Sequence, residues 1–308
     1  MVNLSLIKQS NSRIDESSAP RVAVFVGGTA GIGMLTLAEI AGLKIGFKAY
    51  AVGRKESEQS FKNFLGELHQ AHTNANVVWV EGQVSLLSEV KRVYTREGLD
   101  VSHALTFYSR ICFVENLLPL LRASESARVV SIHSGGLESE RRLNTNDLNL
   151  ENPGAFGGIA TQGHMGIMGT LTLERLAEAK ENQSIVFIHS YPGIVRTGNL
   201  FRGWKEGSWG SWMAAIFFDP ILMLVAYSFK ESAERHLYQV TSGTFGGKRG
   251  PILPGIVGRT TRGEQAGGLF LVNYKCDTVL NEKELAKLRV TAQEIVWRKA
   301  HQIISPYV

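Results

Sequence analysis

The chain has 308 residues, 44% of them apolar, enough to bury a sizeable core as one large domain or two smaller ones. Its 33 basic and 28 acidic residues leave a formal charge of +5, too small and too dispersed for a nucleic-acid surface. The two cysteines, Cys112 and Cys276, are far apart in sequence and in no metal-ligand spacing, which excludes a disulfide framework, points to a reducing compartment such as the cytoplasm, and gives no metal site to expect.

From the N-terminus, residues 1–20 are interrupted by Lys8, Arg13, Asp15 and Glu16 and lack the apolar core of a signal peptide. Residues 22–26, Val-Ala-Val-Phe-Val, form a β-branched-rich apolar run of the kind covered on both faces in a parallel sheet. The run breaks into Gly-Gly-Thr-Ala-Gly-Ile-Gly at 27–33 and opens a helix predicted over Ile32–Leu43. Gly27 permits the sharp turn, Gly31 lets backbone approach a pyrophosphate, and Gly33 lets the helix pack on the sheet while its free N–H groups face the phosphates. A second strand predicted at 48–52 completes the βαβ context that such a turn needs. Arg54 follows it, where an NAD-preferring site would carry an acidic residue, and no Asp or Glu lies between Ala49 and Lys55. That pattern suits the 2′-phosphate of NADP.

Further along, the patterns predict a helix at 56–70, a strand at 76–80, helices at 86–96 and 101–121 with Pro119 near the end of the second, and a strand at 128–132. A helix at 164–181, a strand at 185–189, a helix at 231–239, a strand at 268–274 and a charged helix at 282–304 follow. This alternation is a doubly wound α/β pattern, a Rossmann-type, mostly parallel sheet in a single domain over 1–308. The apolar stretch Trp212–Phe229 is divided by Asp219 and Pro220, so neither half reaches the roughly 20 residues needed to span a bilayer, and membrane contact is not expected.

Three segments in order, Val26-Gly27-Gly28-Thr29-Ala30-Gly31-Ile32-Gly33, Arg128-Val129-Val130-Ser131-Ile132-His133-Ser134 and Tyr191-Pro192-Gly193-Ile194-Val195-Arg196-Thr197, resemble the short-chain dehydrogenase/reductases along most of the chain. Phe113–Leu121 and Glu234–Leu237 look like a fungal branch of that family, whose members often accompany secondary-metabolite pathways. The resemblance implies that Gly27, Thr29, Gly31, Ile32 and Gly33 line the pyrophosphate turn of NADP and that Arg54 meets its 2′-phosphate. It places Pro192, Gly193 and Thr197 beside the nicotinamide, and Ser134 on the substrate oxygen. Residues 198–261 correspond to the variable substrate loops, an apolar lid over a small-molecule substrate. Relatives also often form dimers or tetramers, which makes the 101–121 helix a candidate homo-oligomer face.

Two departures stand against the resemblance. Family members use a tyrosine as general acid with a lysine four residues later, and Tyr-x-x-x-Lys occurs nowhere in this sequence. The family register puts Gly158 or Ile159 at the tyrosine and Gln162 or Gly163 at the lysine, and none of these can donate a proton as tyrosine does. His164 is the first substitute candidate, ahead of His133 and Tyr191, since a histidine can serve as general acid near neutral pH. The second departure is a missing central fourth strand, because Glu97-Gly98-Leu99-Asp100 runs straight into the 101–121 helix. Either coding sequence is skipped near Tyr94–Gly98, or the sheet closes directly between the strands at 22–26 and 128–132; the family-like flanks favour the first. Three functions fit: an NADP-dependent oxidoreductase acting on a carbonyl or alcohol of a small apolar metabolite, a non-redox isomerase or cyclase, and a catalytically silent binding protein.

Overall fold

The structure is a computed structural model that describes residues 1–87, 101–155, 157–195 and 226–308. The expectations for Arg196, Thr197, the 198–225 part of the lid and the 88–100 junction lie outside these residues.

An N-terminal helix that the sequence patterns do not single out, α1 (Leu4–Asn11), is capped by the Asn3 side chain, which accepts from the Leu6 N–H. Strand β1 (Val22–Val26), helix α2 (Gly31–Gly42), strand β2 (Phe47–Gly53), helix α3 (Glu58–Ala71) and strand β3 (Ala75–Glu81) follow. They build a parallel sheet of order β1-β2-β3, with Phe25 opposite Ala51 and Ala51 opposite Trp79. One face of this sheet is packed: Phe47, Ala49, Ala51, Ala75 and Val77 bury against Leu37 and Ile40 of α2 and Phe61 and Leu65 of α3. On the other face Val22, Val24, Val26 and Val78 remain 64, 42, 42 and 36% exposed.

A π-helical turn, Ala104–Tyr108, leads into α4 (Ser109–Ala123). Pro119 lies inside this helix rather than near its end, since the single hydrogen bond its ring removes is outweighed by the burial of Ile111, Cys112 and Leu118. By length and apolarity Ala104–Ala123 could cross a membrane, but Phe107, Tyr108, Ile111 and Cys112 pack into the core instead. Next come β4 (Ala127–Ile132), α5 (Gly158–Glu178), β5 (Ile185–Ser190), α6 (Phe229–Thr241), β6 (Leu269–Val272), α7 (Glu282–Thr291) and α8 (Gln293–Ile304). Helix α5 begins six residues before the expected His164, because packing overrides the weak helix preference of its glycine-rich first turns. The C-terminal helix is two helices, broken at the buried Ala292 (φ −134°, ψ −30°).

Strands β4, β5 and β6 form a second parallel sheet in that order, with β5 buried along its whole length. The parallel α/β class is therefore as expected, but the sheet is divided: among the described residues no strand pairs with the free edge of β1 or of β4. Direct closure between the strands at 22–26 and 128–132 does not occur, and no strand lies between them among the described residues. What joins the halves is α6. Its Leu237 enters the core of the first sheet, its Tyr238 packs with Ile188, Phe245 and Phe270 on the second, and Arg128 of β4 donates to Gln239 O (2.6 Å) and Ser242 O (2.9 Å) at its end. Residues 229–241, which fall within the expected lid, are thus a core element.

Candidate cofactor and active site

At the carboxyl end of β1 the chain turns sharply through Gly27 (φ +84°) and Gly31 (φ +58°), both in the left-handed region that favours glycine. A Cβ on Gly33 would lie 2.9 Å from Gly27 O and 3.0 Å from Gly28 Cα, so only glycine lets α2 come this close to the turn. Beside it Thr29 packs against the end of β2, where a Cβ on Gly53 would meet the Thr29 methyl at 2.4 Å. Ile32 is partly buried and its carbonyl accepts from Thr36 Oγ1 at 2.8 Å. Ala30 offers no side-chain cap, which leaves the first N–H groups of α2 to an external acceptor. Arg54, at the end of the neighbouring strand, is exposed; its carbonyl anchors Ser57 N–H (2.9 Å) and Oγ (2.7 Å), and its guanidinium has no carboxylate partner among the described residues. A turn of two left-handed glycines with Gly33 packed too closely for a Cβ, at a helix N-terminus without a side-chain cap and beside an arginine with no carboxylate partner among the described residues, fits the phosphates of a dinucleotide.

The second sheet supplies a polar cluster at the ends of β4 and β5. Ser134 follows β4 by two residues, and its Oγ stands 3.1 Å from His133 Nδ1 and 3.5 Å from Gln162 O of α5. Two glycines hold it there. A Cβ on Gly135 would fall 2.1 Å from His189 O, and one on Gly166 of α5 would fall 1.6 Å from Ser134 Oγ. Arg110 of α4, partly buried, donates to Ile132 O (2.9 Å) and Leu105 O (3.1 Å) and meets no carboxylate among the described residues. Burial pushes its guanidinium down to about 10, still a cation at neutral pH.

Burial, reinforced by the Arg110 charge, pushes His133 down to about 3. His133 is therefore neutral across the physiological range and cannot serve as a general acid there. Its Nε2 is buried with no hydrogen-bond partner, so one ring nitrogen goes unsatisfied in either tautomer. The imidazole tautomer decides which of His133 Nδ1 and Ser134 Oγ donates in this contact, and the serine hydroxyl also donates to Gln162 O at 3.5 Å.

Behind this pair lies a chain that the sequence patterns do not reveal. Glu138, 4% exposed, accepts from Gly136 N–H (2.9 Å), Thr170 Oγ1 (2.7 Å) and Asn281 Nδ2 (3.1 Å). With its hydroxyl hydrogen committed to Glu138, Thr170 Oγ1 accepts from His189 Nδ1 at 2.8 Å, which fixes the His189 tautomer. Burial, with His133 and Arg110 nearby, holds His189 well below the usual histidine range. Arg110, Ser131, His133 and His189 line a cavity with 20 Å³ open to the centre of a water molecule, room for one water. A polar residue inside the fully buried 185–190 strand was the one sequence signal for this network.

The remaining expected residues are placed as follows. His164 is 2% exposed, its Nε2 lies 3.1 Å from Leu148 O and its Nδ1 accepts from Asn144 N–H at 3.4 Å. Both ring nitrogens brace the 144–148 loop and burial lowers its pKa, so the structure corrects its expected role as an acid to one of support. Pro192 and Gly193 follow β5, and Gly193 (φ +72°) sits under Tyr274, whose Cβ would be 2.9 Å from an added Cβ. Tyr191 meets Tyr274 edge-on at 6.3 Å. Cys112 and Cys276 are buried and not joined in a disulfide, and burial pushes the Cys276 thiol up to about 11.

No protein-family model matches the chain. The NmrA-like family domain-containing oxidoreductase notO of Aspergillus sp. is 33% identical over 326 aligned positions, covering 97% of this chain and 93% of that protein. An oxidoreductase of Emericella nidulans is 31% identical over 343 positions, covering 100% of this chain and 99% of its own length. A short-chain dehydrogenase/reductase of Stachybotrys chartarum is 31% identical over 143 positions, 46% of this chain and 38% of that protein. The chain belongs to the short-chain dehydrogenase/reductase family of oxidoreductases. The fold agrees: RhlG of Pseudomonas aeruginosa, solved with NADP, superposes with a TM-score of 0.51 at 17% identity over 75% of this chain and 93% of its own. The three-motif resemblance is thus borne out at the level of the family.

Proposed function

We propose that this short-chain dehydrogenase/reductase is NADP-dependent and acts on a carbonyl or alcohol of a small, largely apolar metabolite, in the cytoplasm and in fungal secondary metabolism. The observation that carries the cofactor reading is the turn in which Gly27 and Gly31 take the left-handed conformation and Gly33 leaves no room for a side chain, next to an exposed Arg54 that has no carboxylate partner among the described residues. Relatives named as oxidoreductases support the reaction class. When bound, NADP supplies or accepts hydride at its nicotinamide.

In this reading the N–H groups of the α2 first turn and of Gly27–Gly33 bind the pyrophosphate and Arg54 meets the 2′-phosphate. Pro192 and Gly193 flank the nicotinamide. Ser134 donates its O–H to the substrate oxygen, oriented by His133 from behind. The absence of Tyr-x-x-x-Lys favours a second reading, an isomerase or cyclase that keeps the pocket and not the redox step.

Fluorescence titration with NADPH and NADH, followed by loss of reduced-nicotinamide absorbance over a panel of carbonyl compounds, separates the two. Tighter binding of NADPH than NADH with turnover is the expected result; NADPH binding without turnover on any carbonyl favours the isomerase, and absence of binding overturns the cofactor assignment.

A further inference from the structure

The polar groups behind Ser134 share a direction. Glu138 is the acceptor in all three of its side-chain bonds, from Gly136 N–H, Thr170 Oγ1 and Asn281 Nδ2. Thr170 has one hydroxyl hydrogen and gives it to Glu138 at 2.7 Å, so the 2.8 Å contact with His189 Nδ1 is donated by the histidine. A neutral His189 that carries its hydrogen on Nδ1 is bare on Nε2. At 1% exposure, that lone pair has to be served from inside the protein.

The one-water cavity beside it supplies the donor. Arg110, His133 and His189 line it, and the two imidazole rings stand nearly parallel (16°) with centroids 6.3 Å apart, a gap that one water bridges. Phe107, Met165 and Leu173 form its apolar walls and keep bulk water out. A water here accepts from an Arg110 N–H and donates to His189 Nε2. It also accepts from His133 Nε2, the buried ring nitrogen that otherwise has no partner among the described residues. His133 Nδ1 is then the bare nitrogen, and the Ser134 hydroxyl reaches it at 3.1 Å, a shorter contact than the 3.5 Å to Gln162 O. From Ser134 to Glu138, every hydrogen then points the same way.

We propose that this path is the proton route of the reaction, with the Glu138 carboxylate as its terminus in place of the absent Tyr-x-x-x-Lys. The proposal rests on the oxidoreductase reading above. In the oxidative direction the alcohol carbon gives up its C–H bond as hydride to the nicotinamide, its O–H proton passes to Ser134 Oγ, and C=O forms. Ser134 hands its own hydrogen to His133 Nδ1, and His133 hands its Nε2 hydrogen to the water. The water protonates His189 Nε2, the His189 Nδ1 hydrogen moves to Thr170 Oγ1, and the Thr170 hydrogen moves to Glu138, which becomes the neutral acid. Every bond on the path is then reversed. In the reductive direction Ser134 donates to the carbonyl oxygen, His133 Nδ1 donates to Ser134, and Glu138 is the source of the proton. Between turnovers the proton leaves or enters through Ser134 when the site is open to solvent. Glu138, Thr170 and His189 touch no substrate; they act through His133 and Ser134.

The test reads tautomers first and turnover second. Nitrogen NMR of the full chain labelled in its eight histidines, without cofactor, locates the ring hydrogens, with His133→Gln and His189→Gln assigning the two signals. His189 is expected to be protonated on Nδ1 and His133 on Nε2; His133 protonated on Nδ1, or His189 on Nε2, overturns the path. Thr170→Val, close in size, should move the His189 hydrogen to Nε2, and Thr170→Ser should not. On any alcohol or carbonyl that the parent turns over, Thr170→Val should lower kcat about 100-fold, the low end of general acid–base catalysis, with KM and NADPH affinity unchanged, and Thr170→Ser should restore it. Unchanged kcat in Thr170→Val with a shifted His189 overturns the proposal. Should Thr170→Val not fold, the tautomers of the parent decide alone. Both expected tautomers in a parent that turns over no alcohol or carbonyl support the path and overturn the oxidoreductase reading instead.

Discussion

The cofactor turn makes a sharp prediction at Gly33. In Gly33→Ala the new Cβ would start 2.9 Å from Gly27 O, 3.0 Å from Gly28 Cα and 3.4 Å from Gly27 C, whereas ordinary contacts begin at 3.4 Å. All three neighbours are backbone, so no side chain can rotate away; α2 and the turn must separate by about half an ångström, at the overpacking cost of about 1–3 kcal/mol. For a chain of this size that corresponds to a fall in melting temperature of roughly 2–12 °C. Moving the turn also pulls its N–H groups off the pyrophosphate, so NADPH affinity should fall at least about tenfold, or about 1.4 kcal/mol. Gly46→Ala is the control, because nothing lies within 4 Å of its added Cβ. Differential scanning calorimetry and fluorescence titration with NADPH read the two arms. If Gly33→Ala melts with the parent and binds NADPH equally well, the close-approach argument is refuted.

Arg54→Asp should weaken NADPH about 10–100-fold, the range for a lost charge-assisted bond, while leaving NADH unchanged or tighter; an equal loss for both would show that Arg54 does not meet the 2′-phosphate. Ser134→Ala should lower kcat without changing NADPH affinity, and Gly166→Ala, which drives a methyl into Ser134 Oγ, should reproduce it; retained kcat in both would remove Ser134 from the chemistry. Acid should destabilise the fold early: His133 and His236 sit near 3 and 4 through burial, below the unfolded value of 6.5, so the unfolded chain binds more protons and stability present above pH 6.5 is lost as pH falls. At up to about 1.4 kcal/mol per pH unit for each, about 5 kcal/mol should disappear between pH 6.5 and 4.5, and a flat urea-unfolding profile over that window would contradict it. Arg289→Met should cost about 3–5 kcal/mol, because Glu174, fully buried, would lose its ion-pair partner and two bonds of 2.7 and 3.0 Å; a loss below 1 kcal/mol in urea unfolding would show that water reaches it.

Elements with a period or a punctuation were legible in the sequence, and those made by tertiary contact were not. The apolar run at 22–26, its glycine turn and the strands at 47–53, 75–81 and 185–190 all carried local signals, so the expected boundaries fall within one or two residues. Helix α5 began early because Gly158–Gly163 forms helix only where packing supports it, and the break at Ala292 escaped notice because alanine continues a helix by propensity. At the site, the glycines and Arg54 were readable because backbone conformation and strand-end position constrain them directly. Arg110, Glu138, Thr170 and His189 were not, since they lie on four separate elements and meet only after folding. His164 misled for the same reason: its partners, Leu148 O and Asn144 N–H, are backbone groups that no side-chain pattern announces.

The two departures from the family pattern have different physical characters. Helix α5, where the family's tyrosine and lysine are absent, is well held: Glu174 pairs with Arg289, Gln293 donates to Leu171 O, and His164 is bonded on both sides. A helix fixed this way is a settled feature of the fold, and no tyrosine lies along Gly158–Glu178. The β1 edge is the opposite. Four valines left between about one-third and two-thirds exposed forfeit roughly 1 kcal/mol each of the 1.5–3 that full burial provides, about 4 kcal/mol in a class of molecule whose whole stability is 5–15. A sheet that had adapted to end at β1 would carry a charge or a proline there, and Val-Ala-Val-Phe-Val has neither. The β1 edge as described therefore carries an apolar cost that a covering partner would recover.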